Sequence, residues 1–161
     1  MSEEAAAVIA TATKLGLTVG CAESLTGGLV AADIVSVPGA SAVFRGSIVA
    51  YDSMLKNDLL GVDASTLAST GAVTAEVASA MAEGALARLG VDVAVATTGV
   101  AGPDPDPVSG EAPGAVFIAV AGGGLGTLVR EMSLEGDRDE IRQRATRAAL
   151  QALLDGLSTR E

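Results

Sequence analysis

Apolar positions recur at helical spacing over residues 3–15, an alanine-rich stretch with Ser2 placed as an N-cap and Gly16 as the C-terminal stop. Residues 17–22 form a short apolar run suited to a buried strand. The segment Glu23-Ser24-Leu25-Thr26-Gly27-Gly28 follows, and then a helical stretch over 29–37 that Pro38-Gly39 ends. Residues 47–51 read as a second strand, and Asp52 as the cap of a short helix over 53–60 that Gly61 closes. Beyond a polar turn, Thr74 caps a long amphipathic helix reaching Leu89. Its Glu76 stands in the first turn, where the helix dipole favours an acid. Residues 91–97 are an apolar strand. Residues 114–121 and 127–134 read as a hairpin around Gly122-Gly123-Gly124-Leu125-Gly126, and Asp137 caps a last helix to about Leu157. Helices and strands alternate until the late hairpin, which predicts a three-layer α/β/α sandwich with a mixed sheet. No repeat, linker or low-complexity stretch divides the chain, so residues 1–161 are expected to form one domain.

Composition narrows the possibilities. Nearly half of the residues are apolar but only 2% are aromatic, so the core must be assembled from Ala, Val, Leu and Ile. Mean hydropathy is positive, yet no run of about 18 uncharged apolar residues exists, as a membrane-spanning helix would need. The start Met1-Ser2-Glu3-Glu4 lacks the basic and apolar segments of a secretory signal, and a cytoplasmic location is expected. A formal net charge of −10 argues against nucleic acid as a partner, because phosphate backbones are bound by clustered Lys and Arg. The single Cys21 forbids an intrachain disulfide and reads as a small buried hydrophobe. Histidine is absent, so acid–base chemistry falls to Lys, Tyr or carboxylates. No metal or cofactor is expected. A closed, symmetric homo-oligomer is the expected assembly.

Four places could carry chemistry. Ser24 follows a strand and precedes a helix start flanked by Gly27 and Gly28, which let a ligand approach unpaired backbone N–H groups. The alternative is that Ser24 or Thr26 simply caps that helix. The Gly-Lys-Ser/Thr ending of a P-loop is missing. Tyr51, the only tyrosine, and Lys56 lie at a strand end feeding a helix, where α/β sheets present ligand groups. A lysine there is either solvated or, held dry beside a serine hydroxyl, a general base. Thr97-Thr98-Gly99 should emerge at the same sheet edge as Ser24, either as a binding loop or as a turn. It leads into residues 99–113, which hold four of the five prolines and are too long for a mere connection. Arg138 and Arg142 share one helix face, as do Arg144 and Arg147, and either phosphate contact or solvation would account for them. The glycine run 122–126 sits between strands, which points to a turn and away from a dinucleotide motif.

Several segments together resemble the CinA C-terminal domain family. They are Ala22-Glu23-Ser24-Leu25-Thr26-Gly27-Gly28, Phe44 through Tyr51 with Lys56, Gly71-Ala72-Val73-Thr74, Thr98-Gly99-Val100-Ala101-Gly102-Pro103, Pro113-Gly114 and Gly136-Asp137-Arg138. Characterised members of that family are nicotinamide mononucleotide amidases (PncC-like). The resemblance implies an α/β/α fold, hydrolysis of the carboxamide of a small-molecule nucleotide, and a Ser24–Lys56 pair assisted by Tyr51. It also implies substrate-side roles for the Thr98–Gly99 loop and Arg138, with Arg142 as a further candidate. Backbone groups of Thr26, Gly27 and Gly28 are expected at the substrate and its oxyanion. Two departures stand out: Asp52-Ser53 replaces a common Asn-containing pair, and the loop Asp104-Pro105-Asp106-Pro107 is acidic enough to disfavour a nearby phosphate. Some members carry a second domain before this one. A binding module without turnover and a competence- or damage-related interaction protein remain the alternatives. The presence of both Ser24 and Lys56 favours the enzyme.

Overall fold

The computed structural model describes residues 1–122, 124 and 126–159. Helix α1 (Glu3–Leu15) begins at Ser2, whose hydroxyl accepts the Ala5 amide, and ends at Gly16 in the left-handed conformation. Strand β1 (Val19–Glu23) leads through the Ser24 loop into α2 (Leu29–Val35). One 3-10 turn at Ala40–Ala42 precedes β2 (Phe44–Val49), and Asp52 caps α3 (Ser53–Leu60), which Gly61 closes as the sequence predicts. Helix α4 (Ala64–Thr70) follows, then α5 (Ala75–Leu89) capped by Thr74, β3 (Val93–Gly99), β4 (Ala115–Gly122), β5 (Leu128–Ser133) and α6 (Arg138–Ser158). Helix α4 stands where a polar turn was expected. Its Ala-Ser-Thr-Leu-Ala-Ser-Thr sequence has low helix propensity, but the Asp63 side chain accepts the amides of Ser65 and Thr66 and starts it. Strand β2 begins three residues earlier than expected and stops two earlier. Gly123 and Leu125 of the expected turn lie outside the described residues.

The sheet order is β2-β1-β3-β4-β5. Strands β2, β1 and β3 run parallel, whereas β4 and β5 are antiparallel additions, which makes the sheet mixed. Successive strand residues face opposite layers. Val19, Cys21, Val93, Val95, Val116, Ile118 and Val120 pack under α1, α2 and α6. Their neighbours Ala22, Ala94, Ala96, Ala119 and Ala121 pack under α5 with α3 and α4. The sheet thus presents bulky branched side chains to one layer and mostly methyl groups to the other. The methyl face lets α5, itself lined by Ala78, Ala82 and Ala85, lie close to the strands.

That closeness extends to α3. A Cβ at Gly84 of α5 would run into the carbonyl oxygen of Leu60, the last residue of α3. Replacing a mid-helix glycine by alanine ordinarily stabilises a helix by up to about 1 kcal/mol. Here the added methyl meets main chain that cannot rotate away, so the sign reverses. Gly84→Ala is expected to lose about 1–3 kcal/mol, read as a fall of roughly 2–12 °C in Tm by calorimetry. An unchanged or raised Tm would show that α3 does not lean on this position.

Candidate active site

The carboxyl ends of the three parallel strands define the site. The pairing of β1 with its two neighbours continues past the strand ends. The Ala50 amide donates to the Glu23 carbonyl (2.9 Å), and the Ser24 amide donates to the Thr97 carbonyl (3.0 Å). Ser24 is therefore clamped between the segments leaving β2 and β3. Helix α3 turns back over this edge, and Lys56, one turn before Leu60, points inward; its side chain is only 1% exposed.

The Lys56 amine lies 3.0 Å from Ser24 Oγ, 2.9 Å from the Ala50 carbonyl oxygen and 3.4 Å from the Tyr51 carbonyl oxygen. Among the described residues no carboxylate lies within ion-pair distance of it. An ammonium would donate to all three acceptors. A neutral amine would keep its two N–H donations to the carbonyls and turn its lone pair to the Ser24 hydroxyl. The three partners thus suit either protonation state. Burial lowers the Lys56 pKa from 10.5 to about 8, against the opposing charges of Asp52 and Asp106.

Around this pair, Ser24, Leu25, Tyr51, Ser53, Ala72, Val73, Thr98, Gly99, Ala101, Asp106 and Arg138 line a cleft of about 220 Å³. Thr98 is buried and donates its hydroxyl to the Ala72 carbonyl (2.7 Å), fixing one wall. Gly99 abuts β4 so closely that a Cβ would sit 2.6 Å from the Ala115 oxygen. Arg138 donates to the Gly102 carbonyl (2.7 Å) and to the Tyr51 hydroxyl (2.9 Å). The Tyr51 ring is 59% exposed at the cleft rim, and Tyr51 reaches Lys56 through its main-chain carbonyl rather than its phenol. A separate hollow of about 250 Å³ lies between Ser2, α2 and α6, lined by residues that include Asp33 and Arg147. It contains neither Ser24 nor Lys56.

Thr26, Gly27 and Gly28 do not line the cleft, contrary to expectation. The reason is Glu23, fully buried directly before Ser24. One of its oxygens accepts the Thr26 hydroxyl (2.8 Å), the Gly28 amide (2.9 Å) and the Val30 amide (3.1 Å). The other accepts the Ala31 amide (3.0 Å) and the Ser47 hydroxyl (3.0 Å). The Gly27 amide donates back to the Ser24 carbonyl. Of the helix-start amides expected to meet a ligand, that of Gly28 is thus spent on the protein's own carboxylate and that of Gly27 on the Ser24 carbonyl. Arg142, too, stands outside the cleft: its guanidinium donates to the Leu25 and Thr26 carbonyls (3.0 and 3.2 Å). With loop carbonyls held by Arg142 and later amides held by Glu23, the Leu25 and Thr26 amides have no acceptor among the described residues. Of these two residues, Leu25 lines the cleft.

The burial of the Glu23 carboxylate has no signature in the sequence, where it is one glutamate within a motif. Of the acidic stretch 104–107, the structure brings Asp106 alone into the cleft.

Comparison with known proteins agrees with this architecture. Residues 2–157 match the family described as the CinA C-terminal domain. A CinA-like protein of Frankia casuarinae is 46% identical over 147 residues, covering 89% of this chain and 33% of that protein. The chain thus spans about a third of that relative's length. The competence/damage inducible protein CihA of Agrobacterium tumefaciens superposes with a TM-score of 0.90 at 39% identity, covering 97% of this chain and 94% of the other. A competence-damaged protein (CinA) superfamily protein of Klebsiella pneumoniae gives a TM-score of 0.91 at 30% identity, covering 98% and 97%. With nearly its whole length matched, the chain belongs to the CinA C-terminal domain family.

Proposed function

We propose that this domain is an amidohydrolase that converts the carboxamide of nicotinamide mononucleotide to the carboxylate, releasing ammonia. One observation carries the reading: a buried lysine amine, without a carboxylate partner among the described residues, 3.0 Å from a serine hydroxyl in a cleft. Burying an unpaired amine is costly, and such a cost is characteristic of a group whose lowered pKa is used chemically. The substrate assignment rests on the family resemblance and is supported by Arg138 at the cleft, where a phosphate would find a cation.

Neutral Lys56 takes the proton of Ser24 Oγ as that oxygen bonds to the amide carbon. The carbonyl oxygen becomes an oxyanion, and the Leu25 amide, next to the nucleophile in the chain and uncommitted, is its nearest donor along the chain. Collapse breaks the carbon–nitrogen bond, and Lys56 returns the proton so that ammonia leaves. Water then adds to the acyl-serine while Lys56 takes its proton. Release of the carboxylic acid gives that proton back to Ser24 Oγ. Glu23 and Arg142 act as positioning residues that hold the loop from behind.

Ammonia release from nicotinamide mononucleotide tests the proposal directly. Ser24→Ala and Lys56→Met should each lower kcat by at least about 10³-fold while far-ultraviolet circular dichroism stays unchanged. Turnover surviving in Ser24→Ala would remove it as nucleophile, and an active Lys56→Met enzyme would remove the base. Since the reactive amine is neutral, kcat/KM should rise with pH and level off above about 8. The same group bears on stability. Its folded pKa lies below its unfolded value, so between about 8 and 10.5 the unfolded chain binds more protons, and Lys56 makes stability rise with pH there. A rate profile flat from pH 6 to 9 would contradict a lysine base.

A further inference from the structure

The cleft carries two opposite charges that do not neutralise each other. Arg138 is engaged by the Gly102 carbonyl and the Tyr51 hydroxyl. Asp106 stands on another part of the lining, beside Gly71 and Ser109; a Cβ on Gly71 would sit 3.1 Å from Asp106 Oδ1. Among the described residues the two form no ion pair.

Asp106 is also fixed in place. Its Oδ1 accepts the Val108 amide (3.1 Å), the Ser109 amide (2.7 Å) and the Ser109 hydroxyl (2.8 Å), so the carboxylate cannot swing away from the cleft without breaking its own loop. Its Oδ2 has no donor among the described residues. Partial burial alone would raise the Asp106 pKa, but the bonds from Ser109 and Val108 and the Lys56 charge outweigh it, and the carboxyl stays below its ordinary range. When Lys56 is neutral, as the reaction demands, Asp106 loses the cation it faces across the cleft. The reactive cleft then holds one fixed anion and one fixed cation.

We propose that Asp106 determines specificity by facing a cationic ring: it makes the cleft select a quaternary pyridinium carrying the carboxamide, while Arg138 receives the anionic phosphate of the same molecule. This rests on the nucleotide reading of the cleft and deepens it. The acidic loop, which the sequence alone presents as a deterrent to phosphate, becomes the complement of the other end of a zwitterionic ligand. Placing the anion by the ring and the cation by the phosphate also orients the ligand, because the reversed pose sets like charges against each other at both ends.

The test separates ring charge from everything else. Oxidised nicotinamide mononucleotide has a cationic ring; its reduced, dihydropyridine form keeps the carboxamide, ribose and phosphate but has a neutral ring. Equilibrium binding of both to Ser24→Ala protein, which stops turnover, should favour the oxidised form by roughly fivefold to twentyfold. Adding Asp106→Asn, whose side-chain carbonyl can still accept the loop bonds, should bring that ratio close to one. The preference should also weaken as salt is raised. Equal binding of both forms by Ser24→Ala, binding of neither, or a ratio unmoved by Asp106→Asn would overturn the proposal. Ammonia release by the unsubstituted protein is scored separately. A preference dependent on Asp106 without ammonia would uphold this inference and sink the amidase reading, and ammonia without that preference would do the reverse.

Discussion

Lys56 brings a primary amine into the protein interior with two carbonyls and one hydroxyl as its partners, and the rest of the site is arranged around the cost of doing so. A carboxylate in contact would hold the amine protonated, whereas carbonyls satisfy its hydrogen bonds without fixing its charge. The two carbonyls come from Ala50 and Tyr51, just beyond β2, and the hydroxyl from Ser24, just beyond β1. The amine therefore reports on the register of the two strands. A slip of one residue between them would move the carbonyls relative to Ser24 and leave the amine poorly satisfied.

A second constraint acts from behind the nucleophile. Buried Glu23 gathers hydroxyls and amides from the loop, from α2 and from β2, while Arg142 on α6 takes two loop carbonyls. Donors and acceptors of the loop are thus pulled toward opposite partners, and the turn bearing Ser24 is fixed from both sides. What such a scaffold leaves over is chemically informative. The Leu25 and Thr26 amides remain uncommitted among the described residues, and Leu25, which follows Ser24 in the chain, lines the cleft, an arrangement suited to charge that appears only during reaction.

The two layers of the sandwich make different contributions. The branched face of the sheet, under α1, α2 and α6, holds most of the bulky core, and α6 brings Arg138 and Arg142 to the site on one rigid rod. The methyl face lets α5 press close and supports α3, with the Gly84–Leu60 approach one turn from Lys56. The near absence of aromatic residues has a structural consequence here: layers built of Ala and Val permit main chain to approach main chain, and that approach sets the depth of the lysine.

Much of this protein follows from local sequence. Helix limits at Ser2–Gly16, Asp52–Gly61 and Thr74–Gly90 follow from caps, because a capping hydrogen bond spans two or three residues and a left-handed glycine needs no distant partner. The alternation of elements gave the layered fold, and the position of Ser24, Lys56 and Thr98 after strands gave a common edge. Helix α4 was hidden because a single Asp63 cap outweighs weak propensity. The identity of the donors around the nucleophile could not be read in advance. Whether Thr26 and Gly28 face a ligand or a buried glutamate depends on where the Glu23 carboxylate points, and that is fixed by packing between β1, β2 and α2. The same holds for Arg142 behind the loop, Arg138 in the cleft, and Asp106 alone of the acidic stretch turned toward Lys56. Local bonds write secondary structure into neighbouring residues; the direction of a charged side chain is settled only when elements far apart in the chain close around it.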